Sequence, residues 1–307
     1  MSPAQHPLIV IAGPTGSGKS RMAIEIALRV GGEIVNCDSL QIYKGFDVGT
    51  AKTPQADRAG IPHYLFDVSE PHEGYSAGEY ARQAREALRE ITARGRVPVV
   101  AGGTGFYLHA LLHGLPPLPE RDEALREHLL RRETRRPGSL HRLLTRLEPA
   151  AGRRIHARDR QKTIRALEIR LLTKKALPRL WDSALPLAGY RTIKIGLNPD
   201  RTALNARLDP RAESMFRGGL LEEVRGLLAS GATGAEKPFE SLGYKQALRN
   251  LKGEMTLEEA IASTQLETRQ YAKRQATWFR RDPEIFWIQD FGDAPGALEL
   301  ALAHIRK

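Results

Sequence analysis

Apolar positions fall in two textures along this chain. In the first third, short solid apolar runs alternate with longer stretches in which apolar residues recur every three or four positions. The run LIVIAG (8–13) reads as a buried strand. After a glycine-rich turn, Ser20–Val30 reads as a helix with Met22, Ile24, Ile26 and Leu28 among its apolar positions. GEIVNCDS (32–39) predicts a second strand. GYSAGEYARQAREALREITARG (74–95) predicts a helix opened by a Ser76–Glu79 capping box and closed by Gly95. RVPVVAGGTG (96–105) is another strand that ends in glycines. Strands alternating with helices predict an α/β fold, a parallel sheet built from βαβ units.

The texture changes after the Pro-rich stretch GLPPLPE (114–120). From Glu120 to Tyr190 the pattern is helix-forming and Arg-rich, with no convincing strand. Strand pattern returns in RTIKIGL (191–197), helical segments follow over 200–230 and 257–281, and EIFWIQ (284–289) reads as a last strand. The pattern predicts a core of residues 1–119 and 191–307, interrupted by an inserted helical domain, 120–190. No repeat or low-complexity tract breaks this plan.

Charge sharpens the contrast. The 307 residues carry 47 Lys+Arg against 36 Asp+Glu, a net +11, and the 71-residue insert alone holds 18 basic and 9 acidic residues. Most of the excess therefore sits in one helical segment, which favours a polyanionic partner; a solvated bundle with a surface bias is the plainer alternative. Hydrophobic residues at 41% and charged residues at 27% are ordinary for a globular protein. MSPAQHP is too short and polar for a signal peptide, and LIVIAG is too short to span a bilayer, so a cytoplasmic protein with no membrane partner is expected. One cysteine, Cys37, excludes an internal disulfide and reads as a small buried residue near a strand end.

The glycine-rich turn carries the clearest chemistry. Gly13, Pro14, Thr15, Gly16, Ser17, Gly18, Lys19 and Ser20 fit G-x-x-x-x-G-K-[ST] between a strand and a helix. Glycines let successive N–H groups turn inward, the helix N-terminus adds positive partial charge, Lys19 adds a full one, and the Ser20 hydroxyl suits Mg²⁺. The pattern predicts a di- or triphosphate site without naming the ligand. A hydrolytic motor also needs a carboxylate at a later strand end. The strand VPVVA instead runs into Gly102-Gly103-Thr104, and the well-placed acid is Asp38, which suits a transferase. Two other signals carry little. His109 and His113 have zinc-ligand spacing but Ala110 follows the first, and Gly102–Gly105 lacks dinucleotide-loop spacing.

In order along the chain, GPTGSGKS, DSLQIYKGFDVGTAK (38–52), VVAGGTGFYLHALL (99–112), RRIHARDRQKTIRALEI (153–169), SLGYKQ (241–246) and TRQYAKRQATWFRR (268–281) resemble the tRNA dimethylallyltransferases, also called tRNA isopentenyltransferases. The resemblance spans nearly the whole chain. It implies a P-loop kinase-like fold with a helical insert. The implied activity moves a dimethylallyl group from dimethylallyl diphosphate to N6 of the adenosine just 3′ of the tRNA anticodon, and releases pyrophosphate with Mg²⁺. It implies that Asp38 takes the amine proton, that Thr104 and Thr15 lie near the bridging oxygen, and that Arg211 clamps the diphosphate. Spacing alone does not separate Arg211 from Arg207 or Arg217. Ser39, Leu40 and Gln41 would hold the acceptor nucleotide, flipped out of its stack.

The resemblance also implies tRNA contacts at Gln161, Lys162, Thr163, Ile164 and Arg165, at Gly243 and Lys245, and at Arg269, Lys273 and Arg280. Here Ala157-Arg158 stands where the family has Pro-Asn, and Lys162 stands where it has Arg; the charge is kept, but the resemblance does not carry over the local turn before Asp159 or a bidentate phosphate contact at Lys162. On a helix, Arg269, Lys273 and Arg280 share one face and Tyr271 and Trp278 the other, which predicts cations outward and aromatics toward the core. A nucleoside or small-metabolite kinase is the alternative, since it would share the fold, Lys19 and a substrate-facing Asp38, but the basic insert exceeds what a small acceptor needs. A monomer is expected, and a nucleotide-linked donor stays open.

Overall fold

The computed structural model describes residues 5–177 and 184–307. Six parallel strands form one sheet: β1 (His6–Ala12), β2 (Gly32–Asn36), β3 (His63–Tyr64), β4 (Val97–Ala101), β5 (Tyr190–Leu197) and β6 (Phe286–Ile288), in the spatial order β3-β2-β4-β1-β5-β6. β1 lies between β4 and β5, with Ile9 opposite both Val99 and Ile193. Crossover helices cover both faces of a parallel sheet, which is why β1 and β4 read as solid apolar runs and not as alternation.

The helices of this unit follow the expected βα order: α1 (Lys19–Val30), α2 (Ala77–Ala93) and α3 (Gly105–His113). The Ser76 hydroxyl accepts the Glu79 N–H at 3.1 Å and opens α2 as the sequence predicts. Ile9, Ile11, Val99, Ile195 and Leu197 pack with Met22 and Ile26 of α1 into a closed core. Each such side chain contributes about 1.5–3 kcal/mol relative to exposure.

By its contacts the chain divides into two compact units, one of residues 1–111 with 187–307 and one of residues 112–186. The second is helical: α4 (Glu123–Arg135), α5 (Ser139–Leu147), α6 (Pro149–Arg154) and α7 (Arg160–Thr173). Leu129, Leu140, Leu144 and Leu167 form its core. Glu168, fully buried, is satisfied by Arg126 (3.2 Å), Arg165 (2.7 Å) and the Asp122 N–H (2.8 Å).

Several local expectations need correction. The strand expected over 32–39 stops at Asn36, because the Asn36 side chain accepts the Asp38 N–H (3.0 Å) and turns the chain. The helix expected over 200–230 is three pieces: α8 (Arg201–Met215), a π-helical turn (Phe216–Leu220) where Gly218-Gly219 break the pattern, and α9 (Leu221–Ala229). The helix expected over 257–281 is α11 (Leu257–Phe279). The two-residue strand β3, α10 (Tyr244–Leu251) and α12 (Ala297–Ile305) are additions that the patterning does not predict. No helix among the described residues is long and apolar enough to cross a membrane.

Candidate functional site

The site lies at the carboxyl ends of the central strands, where open parallel sheets present their ligand crevice. β1 runs into Gly13–Ser20, β2 into Asp38–Gln41, and β4 into Gly102–Thr104. Gly18 precedes α1 with φ of +89°, and a Cβ there would stand 2.9 Å from the Gly292 N, so a side chain is excluded by both conformation and space. The Gly292 N–H donates to the Ser17 carbonyl at 2.8 Å and backs the loop. Ser17 is fully buried, and its hydroxyl is unpartnered among the described residues.

Lys19 bends back over its own loop and donates to the Pro14 carbonyl at 2.6 Å. Burial lowers its ammonium pKa to about 8; the Asp38 carboxylate opposes that shift, and the Arg211 charge adds to it. The Arg211 guanidinium is in turn held below its usual range by burial and by the Arg207 charge, against the pull of Asp38. Two desolvated cations therefore converge beside one carboxylate, an imbalance that an anionic ligand corrects. The three arginines that spacing leaves equivalent now separate. Arg207 is locked to Asp293 by two bonds of 2.8 and 2.6 Å and lies over the Phe291 ring. Arg217 is exposed and pairs with Glu213. Arg211, on the same helix α8, is the arginine whose charge acts on Lys19 and feels that of Asp38.

Asp38 is oriented by its neighbours: its Oδ1 accepts the Leu40 N–H at 2.9 Å. Thr104 is joined to the same turn. Its N–H donates to the Cys37 carbonyl (3.1 Å), and its hydroxyl accepts the Ser39 N–H (3.0 Å) and donates to the Ser39 hydroxyl (3.3 Å). The Tyr271 phenol of α11 lies within the influence of Thr104, and burial and the Asp38 charge hold it protonated well above its usual range. Gln275, nearly fully buried on the same helix, accepts the Thr15 N–H and donates to the Gly103 carbonyl, both at 2.8 Å. It thereby ties the β1 loop to the β4 loop. Cys37 is buried, and burial pushes its thiol up to about 12, so it is an inert packing residue.

The candidate tRNA residues fall into distinct groups. Gln161 and Lys162 are exposed at the start of α7, with Lys162 paired to Asp159 at 2.8 Å. Thr163 and Ile164 are corrected: both are buried in the helical unit's core, so their side chains face away from any surface ligand. Arg165 spends its guanidinium on Glu168 and the Pro119 carbonyl (2.8 Å). In the other unit, Lys245 pairs with Glu267 beside Gly243, Arg269 with Asp209 (2.6 Å), and Arg280 with Asn198 (3.0 Å). Lys273 is exposed and lines a depression of about 440 Å³ with Gln270, Arg274, Thr277, Trp278 and Arg281. The expected inward orientation of Trp278 is thus also corrected. The residue is 43% exposed and lines this basic depression, with its ring against Gly105 at the start of α3, where a Cβ would occupy its space.

Residues 41–282 match the family model described as IPP transferase. The chain belongs to the IPP transferase family. It is 55% identical over 302 residues to a protein of Solibacter usitatus named tRNA dimethylallyltransferase, covering 98% of both chains. It is 52% identical to one of that name from Koribacter versatilis, covering 93% and 94%. Among solved structures, the tRNA delta(2)-isopentenylpyrophosphate transferase of Staphylococcus epidermidis superposes with a TM-score of 0.71 at 34% identity, covering 98% of this chain and 99% of that one. A eukaryotic dimethylallyltransferase described as acting on tRNA superposes at 0.79 and 28% identity, covering 97% and 78%.

Within this IPP transferase site, Mg²⁺ fits as an ion carried by a diphosphate. Ser20 offers an exposed hydroxyl on the first turn of α1, and no group of three or more His, Cys, Asp or Glu is placed to hold a metal among the described residues. One protein oxygen suits an ion that keeps waters and phosphate oxygens as its other ligands. Tyr271 and Gln275 are the site residues that the sequence reading missed. A polar Gln in phase with Ala272 and Phe279 on α11 is the one signal the sequence offers for Gln275.

Proposed function

We propose that this chain transfers a dimethylallyl group from dimethylallyl diphosphate to N6 of the adenosine 3′-adjacent to the anticodon in tRNA. The reading rests on one observation above all: Lys19 and Arg211, both desolvated, converge beside Asp38 at the end of a glycine-rich loop. The adenine N6 lone pair attacks the allylic carbon of the donor, and the carbon–oxygen bond to the diphosphate breaks. Pyrophosphate leaves with the bonding pair, and Asp38 takes the N6 proton as the carbon–nitrogen bond forms. Lys19, Arg211 and the loop N–H groups stabilise charge building on the leaving oxygen, where desolvation strengthens them. Ser20 would hold Mg²⁺, which when bound would supply positive charge to offset part of that on the pyrophosphate.

Thr104, held by Ser39 and the Cys37 carbonyl, would act near the bridging oxygen, and Ser39 and Gln41 would hold the acceptor base. Gln161, Lys162, Lys273 and Arg280 are the exposed cationic or polar candidates for the tRNA backbone. The protein acts as a monomer in the cytoplasm, where its tRNA substrate is found.

Incubation with unmodified tRNA, Mg²⁺ and either labelled dimethylallyl diphosphate or labelled ATP tests this. Label passing from the prenyl donor to tRNA is the expected result. Phosphoryl transfer from ATP to a small acceptor, without prenylation, overturns it in favour of a kinase.

A further inference from the structure

The acceptor turn that carries Asp38 belongs to a longer loop, residues 38–52, and that loop is held from outside by side chains with no part in the chemistry above. Glu223 of α9 accepts the N–H groups of Asp47 (3.1 Å) and Val48 (2.8 Å) with one carboxylate oxygen. Its other oxygen accepts the hydroxyl of Tyr244, the first residue of α10. That hydroxyl accepts the next N–H in the loop, Gly49, at 3.1 Å. Three consecutive loop amides thus end on one carboxylate–phenol pair. Tyr244 is fully buried under Phe46 and lies so close to Gly49 that a Cβ there would stand 2.4 Å from the ring. Burial and the Glu223 charge keep its phenol protonated.

The hold continues inward to the reacting carboxylate. Thr50, next to Gly49, accepts the Gln41 side-chain amide through its carbonyl at 3.1 Å. Leu40, next to Gln41, donates its N–H to Asp38 Oδ1. Lys52, almost wholly buried, pins the far end of the loop to Asp47 and Asp67 (2.6 Å each) and to the Tyr43 carbonyl (2.9 Å).

Resting on the proposed function, we infer that Tyr244 and Glu223 are positioning residues: they set the loop that aims Asp38 and Gln41 at the acceptor base. Gly243 and Lys245 flank Tyr244, so a ligand that engages the start of α10 bears on the same latch.

Tyr244→Phe and Glu223→Gln test it in the full chain. Tyr244→Phe keeps the ring and removes the bonds to Gly49 and Glu223. Misplacement of a reacting group by about 1 Å costs on the order of 10²-fold. The expected result is a 10- to 100-fold lower kcat, on the order of that cost, with pyrophosphate and tRNA affinities within about twofold of wild type. The double variant should lose little more than either single one, because both cut the same chain of bonds. Lys194→Met, which takes a buried lysine of β5 away from the Asp282 and Glu284 carboxylates, controls for lost stability and should leave kcat unchanged.

Amide hydrogen exchange supplies a readout that needs no activity. In Tyr244→Phe, exchange should quicken at Asp47–Gly49 and also at Leu40, with the α1 amides unaffected. Faster exchange at Gly49 with Leu40 unchanged, or wild-type kcat, overturns the inference. A parallel loss of pyrophosphate affinity and melting temperature overturns it too. If wild-type protein prenylates no tRNA, the functional reading fails alone, and the exchange pattern still decides whether the latch sets the loop.

Discussion

The cations at the phosphate loop and the cations on the candidate RNA surfaces are the same residue types in opposite circumstances. Lys19 and Arg211 are desolvated, and each lies within reach of the Asp38 charge. Arg165, Lys245 and Arg269 each sit against an acid of their own chain, Glu168, Glu267 and Asp209. Positive charge in the sequence is therefore not the same as charge available to a ligand. A paired surface cation must give up its partner before it adds much to binding, whereas Lys19 and Arg211, two desolvated cations sharing one carboxylate, leave positive charge uncompensated. The comparison predicts large effects at the crevice and graded, salt-sensitive ones outside it.

Removing the proton acceptor should have the largest effect. Asp38→Ala is expected to abolish transfer, at least the ~10²–10⁴-fold typical of a lost general base, while tRNA still binds in a filter assay. Turnover at the wild-type rate would remove Asp38 from the chemistry. Next comes the separation of the three arginines. Arg211→Ala should lower kcat by about 10²–10³-fold, the usual cost of one lost charge-stabilising donor, and weaken pyrophosphate binding. Arg217→Ala should change neither. Equal losses at both positions would dissolve the distinction drawn from their partners.

The pH dependence of Lys19 gives an intermediate effect. Its folded pKa of about 8 lies below the ordinary 10.5. Between those values the unfolded chain keeps a proton that the folded chain has released, so stability from this group rises with pH, and its penalty is present in full below about 8. Ligand binding runs the other way, because pyrophosphate needs the charged ammonium. Pyrophosphate affinity, read by calorimetry, should fall as pH passes through about 8, and Lys19→Met should remove that step. A step persisting in Lys19→Met would place the titration on another group. The smallest effect is outside. Lys273→Ala should weaken tRNA binding and lower the salt slope by about one unit, the share of one phosphate contact. Arg269→Ala should change the slope less, since Asp209 already neutralises that charge. The reverse ranking would break the comparison between free and paired cations.

Much of the crevice was legible because its parts are local. The strand, glycine turn and helix over residues 8–30 occupy one continuous stretch, and the conformations that Gly13–Ser20 need are written in that stretch itself. The Ser76 cap and the buried strands read just as directly. Where the reading failed, the deciding contact lay far away in sequence. Trp278 was expected inward by helical period, yet the space beside it is set by Gly105. Thr163 and Ile164 shared a motif with exposed neighbours, yet the core of α4, α5 and α7 covers them. Gln275 and Tyr271 looked like any residues of a long helix until the β1 and β4 loops were folded against them. The break at Phe216–Leu220 shows the same limit, since Gly218-Gly219 end a pattern that apolar spacing alone carries straight through.

By itself, then, the sequence determined the phosphate-gripping loop, the parallel α/β plan, the helical and basic middle segment and the family. Each of these rests on short-range pattern or on motif order. Tertiary structure alone decided which arginine faces the loop, which basic residues are already neutralised, and how the 38–52 loop is held by Glu223 and Tyr244, some 175 to 195 residues away along the chain. The physical reason is that desolvation and pairing are properties of neighbours in space, and those neighbours exist only once the sheet has brought its strand ends together.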